Sequence, residues 1–314
     1  MDSLFWYDFE FTSEFLRSDS TKPLKEIRKL RTRLSHFKHS IDQHYVKDSK
    51  NNAWNNVSDD MYPWLYVSRS GPKRISRAFY KLSEILINYK IPNPRTAICL
   101  CEAPGGFVEC LRYFYKGVAW RAWSLGGSIP FSKKLPQATV RYHDILNTDS
   151  LVTSPANLIT ADGGADSSSD YDSQETINYP IIKAQIDVAR KHLAPGGTFI
   201  IKFFDTYTFE TLRVILWLNE LFEVINVCKP PGSKPTNSEK YIVCRKFKGV
   251  EVALEDVEWT QESIPNIINY VIIFAATLQI ESITEVLSQI NTPKNIDFRK
   301  YHEQHLLKYK GVFS

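Results

Sequence analysis

The sequence predicts an α/β protein built around one mostly parallel sheet. Between about residues 90 and 230, short apolar runs alternate with longer stretches of helical period, which is typical of strands joined by crossover helices. The composition agrees, because 43% of the 314 residues are hydrophobic and 24% are charged, the balance of a folded globular chain. A chain of this length can hold one large core with smaller extensions.

The apolar runs predict a sheet of seven strands. They are Thr96 to Cys101, Val118 to Trp123, Ala138 to Tyr142, Asn157 to Ala161, Thr198 to Phe203, Glu223 to Cys228 and Lys240 to Cys244. Helices are predicted between them at Phe107 to Lys116, Tyr179 to Leu193 and Thr208 to Asn219. Only about eleven polar and proline-rich residues join the last two strands, too few for a crossover helix, so the final strand is predicted to be antiparallel.

Two helical extensions are predicted to flank this core. We expect an N-terminal extension at residues 1–68, a core at 69–248 and a C-terminal extension at 249–314. Apolar residues spaced three and four apart predict an amphipathic helix from Leu24 to Tyr45, and a polar loop follows from Asp48 to Asp60. Further helices are predicted from Lys73 to Asn88 and from Ser263 to Gln289.

Charge is segregated along the chain although the formal net charge is only +4. Residues 22–50 contain nine Lys or Arg against three Asp or Glu, and residues 69–81 contain five against none. Residues 250–290 contain seven acids and neither Lys nor Arg. This segregation indicates a face that meets a polyanion, the alternative being ordinary solvated helix faces.

The cysteines and the apolar pattern predict a soluble protein in a reducing compartment. The five cysteines form no CxxC pair and there is no histidine cluster, so neither a disulfide framework nor a metal site is predicted. The first residues lack a secretory pattern, and the longest apolar run has seven residues, too few to cross a membrane. We expect no membrane partner and a cytoplasmic location, although basic clusters are also typical of a nuclear address.

Glycines and charged residues gather where the predicted strands end. In chain order they are Gly105, Gly106, Asp144, Asp162, Lys202 and Glu239. Because open α/β sheets bind ligands outside the carboxyl ends of their strands, the sequence predicts a binding site at this edge. Lys202 lies among apolar strand residues, which indicates either a buried ion pair with Asp162 or a contact with substrate.

Several motifs lie in and around these positions. They are SRAFYKL at Ser76–Leu82, CEAPGGF at Cys101–Phe107, ADGG at Ala161–Gly164, GTFIIK at Gly197–Lys202 and KPPGSKPTNSEKY at Lys229–Tyr241. In this order they resemble the FtsJ-like RNA 2′-O-methyltransferases, and within them the cap-specific mRNA branch. The resemblance covers roughly residues 74–248. It implies a Rossmann-like class I methyltransferase fold, S-adenosyl-L-methionine as cofactor, capped mRNA as substrate and other capping proteins as partners.

The resemblance also implies roles for individual residues. The family's catalytic Lys-Asp-Lys-Glu tetrad matches Lys81, Asp162, Lys202 and Glu239. Its cofactor pocket matches Pro104, Gly105, Gly106, Phe107, Asp144 and Asp162. We expect RNA contacts from Arg74, Arg77, Ser233, Lys234 and Asn237. One departure is Ser124-Leu125-Gly126-Gly127, where related methyltransferases often place an acid on the cofactor ribose.

Methyl transfer to a ribose hydroxyl is an in-line displacement, which depends on alignment and on activation of a weakly acidic hydroxyl. A lysine whose pKa is lowered by a second cation accepts the proton, whereas a charged lysine stabilises the oxyanion. In our hypothesis Lys202 contacts the target hydroxyl and Asp162 orients Lys202. Lys81 and Glu239 tune and position them.

Two other functions remain open at this stage. One is 2′-O-methylation of ribosomal or transfer RNA, and the other is a non-catalytic RNA-binding or regulatory subunit. A DNA amino-methyltransferase is disfavoured, because Asp162–Ala165 is not an Asn/Asp-Pro-Pro-aromatic motif. Candidates for stacking on a methylated guanine cap, with ordinary packing as the alternative, are Trp54, Tyr62, Trp64 and Tyr66.

Overall fold

The computed structural model describes residues 6–12, 24–44, 52–60, 73–127, 129–148, 154–165, 172–258 and 266–291. The strands in this part of the chain are β1 (Tyr7–Thr12), β2 (Thr96–Leu100), β3 (Ala119–Ser124), β4 (Val140–Tyr142), β5 (Ala156–Ala161), β6 (Leu193–Phe203), β7 (Phe222–Lys229) and β8 (Lys240–Phe247). The α-helices are α1 (Leu24–His39), α2 (Ala53–Asp60), α3 (Ala78–Asn88), α4 (Gly106–Phe114), α5 (Gln174–His192), α6 (Phe209–Leu221) and α7 (Asn266–Asn291).

The strands form one sheet in the order β1-β7-β8-β6-β5-β2-β3-β4. The neighbours from β6 to β4 pair in parallel, and β8 lies antiparallel between β6 and β7. The predicted Rossmann-like fold class is confirmed, as is the antiparallel last strand. Because β8 runs against β5 and β6, its first residue lies at the edge where those two strands end.

Helices cover both faces of this sheet. Ile200 packs with α3 and α4 in one apolar cluster, whereas its neighbour Ile201 packs with α5 and α6 in another. This alternation follows from the period of two along a strand, and it explains why the central strands are apolar throughout.

The sheet has one strand more than the seven predicted, because the N-terminal extension, predicted as helical, also contributes β1. This segment alternates aromatic with acidic residues, and it pairs antiparallel with β7. Tyr7 is buried against the core, while Asp8 Oδ1 on the other face accepts a hydrogen bond from Tyr89 Oη at 2.7 Å. The strand depends on these partners from distant parts of the chain.

The predicted boundaries between the core and its two extensions, at 68/69 and 248/249, stay predictions.

The polar stretch predicted as a loop contains the helix α2. Asn52 Oδ1 accepts the N–H of Asn55 at 3.1 Å and so caps the helix start. Trp54 is buried in an apolar cluster with Leu34 of α1 and Ile283 of α7. The helices α1, α2 and α7 therefore share a small core beside the sheet.

One helix among the described residues is long and apolar enough to cross a membrane, namely α7 over Val271–Asn291. The longest uninterrupted apolar run has only seven residues, so it did not indicate a helix of this length and hydropathy. In the structure 44% of that stretch is buried, and the cluster it shares with Leu34 and Trp54 accounts for part of that burial.

Candidate active site

Two lysines and two carboxylates meet at the predicted edge of the sheet. Asp162 directly follows β5, Lys202 lies near the end of β6, Glu239 directly precedes β8, and Lys81 projects from α3. Lys81 Nζ lies 2.6 Å from Glu239 Oε1, and Lys202 Nζ lies 3.3 Å from Asp162 Oδ1. The structure thus brings the four residues of the predicted tetrad together as two ion pairs. Their catalytic roles stay predictions.

Lys202 and Asp162 are held by more than their opposite charges. Lys202 Nζ donates to the main-chain oxygen of Asp162 at 2.7 Å. Tyr241 lies opposite Lys202 in the β6–β8 ladder, and its hydroxyl donates to Asp162 Oδ1 at 3.1 Å. Tyr241 was not among the predicted site residues, although it ends the motif that carries Glu239.

The electrostatics of the cluster keep Lys202 and Glu239 charged at neutral pH. Burial alone would lower the pKa of Lys202, but the carboxylates of Asp162 and Glu239 raise it above the usual lysine value. Burial would likewise raise the pKa of Glu239, but Lys81 and Lys202 lower it to about 2. A lysine with a lowered pKa was one of two expectations for Lys202. The structure favours the other, a charged ammonium.

Protonation of Glu239 is expected to destabilise the fold in acid. Its pKa is about 2 in the folded protein against an ordinary value of 4.5, so its contribution is complete above about pH 4.5 and is lost as the pH falls towards 2. The shift corresponds to roughly 3 kcal/mol at neutral pH. Thermal melting of wild type and Glu239→Gln should therefore differ most at pH 6 and converge only near pH 2.

The matched control for this titration is Glu251→Gln, since Glu251 is exposed. Its melting temperature should follow that of the wild type at each pH. A difference between wild type and Glu239→Gln that stays constant from pH 6 to pH 3 would contradict the assignment.

A third lysine, buried at the end of β7, holds the loop that carries Glu239. Lys229 Nζ donates to the main-chain oxygen and to Oδ1 of Asn237, both at 2.9 Å, and also to the main-chain oxygen of Glu239. Ser233 Oγ lies 3.4 Å from the same nitrogen. Ser233 and Asn237 were expected to contact RNA, and the structure turns both side chains towards Lys229. Their RNA contacts stay predictions.

The turn between β2 and α4 is fastened by a buried carboxylate. Glu102 Oε1 accepts the N–H groups of Phe107 at 2.7 Å and Val108 at 3.0 Å, which satisfies donors that a helix start leaves unpaired. Gly105 has a φ of +116°, a conformation that favours glycine. The side chain of Phe107 is fully buried, and its contact with a cofactor stays a prediction.

Gly106 leaves no room for a side chain. A Cβ there would lie 2.1 Å from Ser76 Oγ and 3.1 Å from the main-chain nitrogen of Phe79. Gly106→Ala is therefore expected to cost about 1–3 kcal/mol of unfolding free energy, measured by denaturant titration. Gly126→Ala is the control, because its Cβ would meet Tyr142 at an ordinary 3.7 Å. Equal stabilities of the two variants would contradict this prediction.

The residues at this edge fit the cofactor that the fold class uses. Asp144 follows β4 and Asp162 follows β5, and both carboxylates are partly exposed. Two carboxylates beside a glycine turn suit a ligand that carries an ammonium group and ribose hydroxyls, as S-adenosyl-L-methionine does. Asp144 Oδ1 also accepts the N–H of Leu146 at 3.0 Å, which fixes the turn after β4.

Ser124, the last residue of β3 and the first of the segment where an acid was missing, stabilises the turn between β2 and α4. Ser124 Oγ accepts the N–H of Ala103 at 3.3 Å, and the main-chain oxygen of Pro104 accepts the N–H of Ser132 at 2.9 Å. Ser124 therefore stabilises the segment before Gly105.

Among the described residues, no group of three or more His, Cys, Asp or Glu side chains could hold a metal ion.

A cavity of about 340 Å³ opens beside Lys81 and Glu239. Residues from the sheet edge and from α1, α2 and α7 share its wall, among them Lys38, Trp54, Arg77, Phe204, Lys234 and Gln279. Trp54 is thus the one predicted stacking candidate that the described part of the chain contains. The other three, Tyr62, Trp64 and Tyr66, lie outside the described residues.

The predicted RNA-contacting arginines have different surroundings. The Arg74 guanidinium lies 4.0 Å from the ring centre of Phe79 and 4.9 Å from that of Tyr113, and 3.8 Å from Glu109. Arg77 is exposed at the cavity wall. Arg74 precedes the first residue of α3, so the predicted helix from Lys73 that would align it with Arg77 begins later, at Ala78.

A Rossmann-like sheet with a glycine turn and paired lysine–carboxylate groups at the ends of its strands is the arrangement expected of a class I methyltransferase domain. The model of one family, the FtsJ-like methyltransferases, matches residues 74–247. The chain belongs to this family.

Curated relatives differ in how their names describe the substrate. "Probable methyltransferase EP424R" of African swine fever virus (strain Badajoz 1971 Vero-adapted) is 29% identical, over 54% of this chain and 48% of its own length. "Cap-specific mRNA (nucleoside-2'-O-)-methyltransferase 2" of Drosophila melanogaster is 25% identical, over 75% of this chain and 38% of its own length. The chain thus spans about half or less of these two relatives.

Two further matches complete the comparison. "Cap-specific mRNA (nucleoside-2'-O-)-methyltransferase 1" of Trypanosoma cruzi is 28% identical, over 63% of this chain and 64% of its own length. A solved structure from Plasmodium falciparum, titled "Crystal structure of a ribosomal RNA methyltransferase, putative", matches with a TM-score of 0.45 at 18% identity, over 56% of this chain and all of that one. The structural similarity is too low to bear on the substrate.

Proposed function

We propose that this protein transfers the methyl group of S-adenosyl-L-methionine to a ribose 2′-hydroxyl near the 5′ cap of mRNA. The observation that carries the proposal is the pair of ion pairs, Lys81–Glu239 and Lys202–Asp162, at the carboxyl edge of an FtsJ-like domain. The names of the relatives from Drosophila melanogaster and Trypanosoma cruzi support a capped substrate. The cytoplasmic location belongs to the same proposal.

When bound, the cofactor supplies an activated methyl group on its sulfonium. In the proposal Lys202 Nζ lies against the ribose 2′-oxygen and stabilises the negative charge that develops there. The methyl group would form a bond to this oxygen as its bond to sulfur breaks, and the hydroxyl proton would pass to solvent, because Lys202 is already protonated. Asp162 fixes the position of Lys202 through both its main-chain oxygen and its carboxylate. Glu239 and Lys81 form the second pair, and Glu239 adds to the charge that keeps Lys202 protonated.

The test is methyl transfer from labelled S-adenosyl-L-methionine to three short RNAs of one sequence. One carries an N7-methylguanosine cap, one an unmethylated cap and one no cap, and Lys202→Ala serves as the blank. Label on the first or second ribose of capped RNA alone supports the proposal. Equal label on uncapped RNA would favour ribosomal or transfer RNA as substrate. Cofactor binding with no transfer to any RNA would favour the regulatory subunit.

A further inference from the structure

Two cations at the cavity wall converge on one carboxylate oxygen. Arg77 Nη1 lies 3.7 Å from Asp59 Oδ1, and Lys234 Nζ forms a close ion pair with the same oxygen. Lys234 Nζ also donates to Ser58 Oγ at 3.1 Å. Asp59 and Ser58 belong to α2, so one turn of this helix supplies both acceptors.

The two cations belong to the catalytic domain, whereas the carboxylate does not. Arg77 and Lys234 lie within the family-matched residues 74–247, and α2 lies outside them. Arg77 directly precedes α3, the helix that carries Lys81, and both side chains line the cavity. Lys234 lies in the loop that carries Glu239. Both cations are therefore next to the tetrad as well as to the cavity.

The ion pair with Asp59 is not needed to hold α2 in place. Trp54 on the same helix is buried against α1 and α7, and this apolar contact anchors the helix. The side chains of Asp59 and Arg77 are 39% and 59% exposed, and exposed ion pairs contribute little to stability. The Lys234 side chain is only 15% exposed, and Ser58 Oγ remains a partner for its Nζ when the carboxylate moves away. Because the Asp59 carboxylate is accessible to solvent, another anion can reach the two cations in its place.

Arg77 and Lys234 are two of the residues expected to contact RNA, and we propose that the Asp59 carboxylate occupies the place of an RNA backbone phosphate between them until a phosphate replaces it. Guanidinium and ammonium groups bind phosphate and carboxylate oxygens through the same charge-assisted hydrogen bonds. Phosphate contacts set the position of a nucleic acid without reading its sequence. The cavity of about 340 Å³ beside the site leaves room for the attached nucleoside, with Trp54 and Phe204 in its wall. The inference rests on the proposed function only in taking RNA as the ligand.

The test compares Asp59→Asn with Asp60→Asn, which removes the same charge from an exposed position on the same helix. Binding of a fluorescent ten-nucleotide single-stranded RNA is measured by anisotropy on the full chain. We expect about three- to fivefold tighter binding for Asp59→Asn, because the competing carboxylate is gone. Asp60→Asn should stay close to wild type. Equal gains in the two variants, or no gain in either, would overturn the proposal.

The two cations give an independent measurement. In a background with Arg77→Ala and Lys234→Ala, Asp59→Asn should no longer tighten RNA binding. The two cations that the Asp59 carboxylate would otherwise occupy are absent there. Arg77→Ala alone should weaken binding and reduce the slope of log K against log salt by about 0.7, the loss of one phosphate contact to a single strand. A gain from Asp59→Asn that persists without both cations contradicts the site.

These binding measurements separate the site from the reaction. They need neither cofactor nor turnover. If the wild type methylates no RNA, the proposed function is contradicted but the proposed phosphate site is not. If the wild type methylates RNA but Asp59→Asn binds RNA no tighter than Asp60→Asn, only the proposed phosphate site is contradicted. Thermal melting of each variant confirms that the folded protein is compared.

Discussion

Replacement of Lys202 by alanine is expected to lower turnover at least about 100-fold while cofactor affinity stays within about twofold of wild type. Loss of one group that stabilises a developing oxyanion typically costs this much in kcat. Lys202 Nζ contacts Asp162 through two of its oxygens, so the alanine variant removes a positive charge from the centre of the site. Methyl transfer to RNA gives the turnover, and calorimetric titration gives the cofactor affinity.

Lys183→Ala is the matched control for this change. Lys183 Nζ forms an exposed ion pair with Glu255 at 2.8 Å on α5, so the same substitution removes a surface charge only. Its turnover should equal that of the wild type. If Lys202→Ala keeps more than a tenth of wild-type turnover, Lys202 does not have the proposed role in the reaction.

The pH dependence distinguishes the two roles that a lysine can have here. A base with a lowered pKa would make turnover rise between pH 7 and pH 9, as the neutral amine becomes populated. The neighbouring carboxylates instead raise the pKa of Lys202. Turnover limited by chemistry should therefore not rise in this range through deprotonation of Lys202.

Lys229→Met is expected to produce the second large effect, on both stability and turnover. The substitution removes the Nζ donor from the main-chain oxygens of Asn237 and Glu239, of which the Glu239 oxygen keeps Ser233 Oγ at 3.3 Å, and an acceptor left unsatisfied costs about 1–3 kcal/mol. We expect a loss of about 1–3 kcal/mol of unfolding free energy. Because the loop also positions Glu239, turnover per folded molecule should fall at least about tenfold, since small displacements at a reacting centre are costly.

Lys248→Met separates this effect from the general cost of losing a lysine. Lys248 Nζ also donates to two main-chain oxygens, those of Asn219 at 2.8 Å and Glu220 at 3.1 Å, but these lie at the end of α6. Its turnover per folded molecule should match wild type, measured at a temperature where both variants remain folded by circular dichroism. Normal turnover in folded Lys229→Met would mean that Lys229 acts on stability alone.

The parts of the site that follow from strand direction could be predicted from the sequence. Asp162 and Lys202 each come at the end of a parallel strand, so their meeting at one edge needs no knowledge of packing. Glu239 joins them because a short connection forces β8 to be antiparallel. These inferences use only the alternation of strands and helices and the lengths of their connections.

The parts that depend on distant contacts could not be predicted in this way. The strand β1 exists because β7 offers an unpaired edge, and α2 forms because Trp54 finds an apolar cluster made by α1 and α7. Lys229 begins a recognised motif, but its sequence position does not reveal that Ser233 and Asn237 turn inwards to it. The raised pKa of Lys202 likewise depends on which charges surround it in space.

The position of β1 has a consequence for any shortened form of this protein. β1 lies outside the family-matched residues 74–247, yet it covers the outer side of β7 from Tyr7 opposite Lys229 to Thr12 opposite Val224. A version trimmed to the matched residues would expose a row of unpaired N–H and C=O groups along β7, which readily pair with a second molecule. The trimmed protein is then expected to self-associate. A loss of its activity would therefore say nothing about the catalytic residues of the full chain.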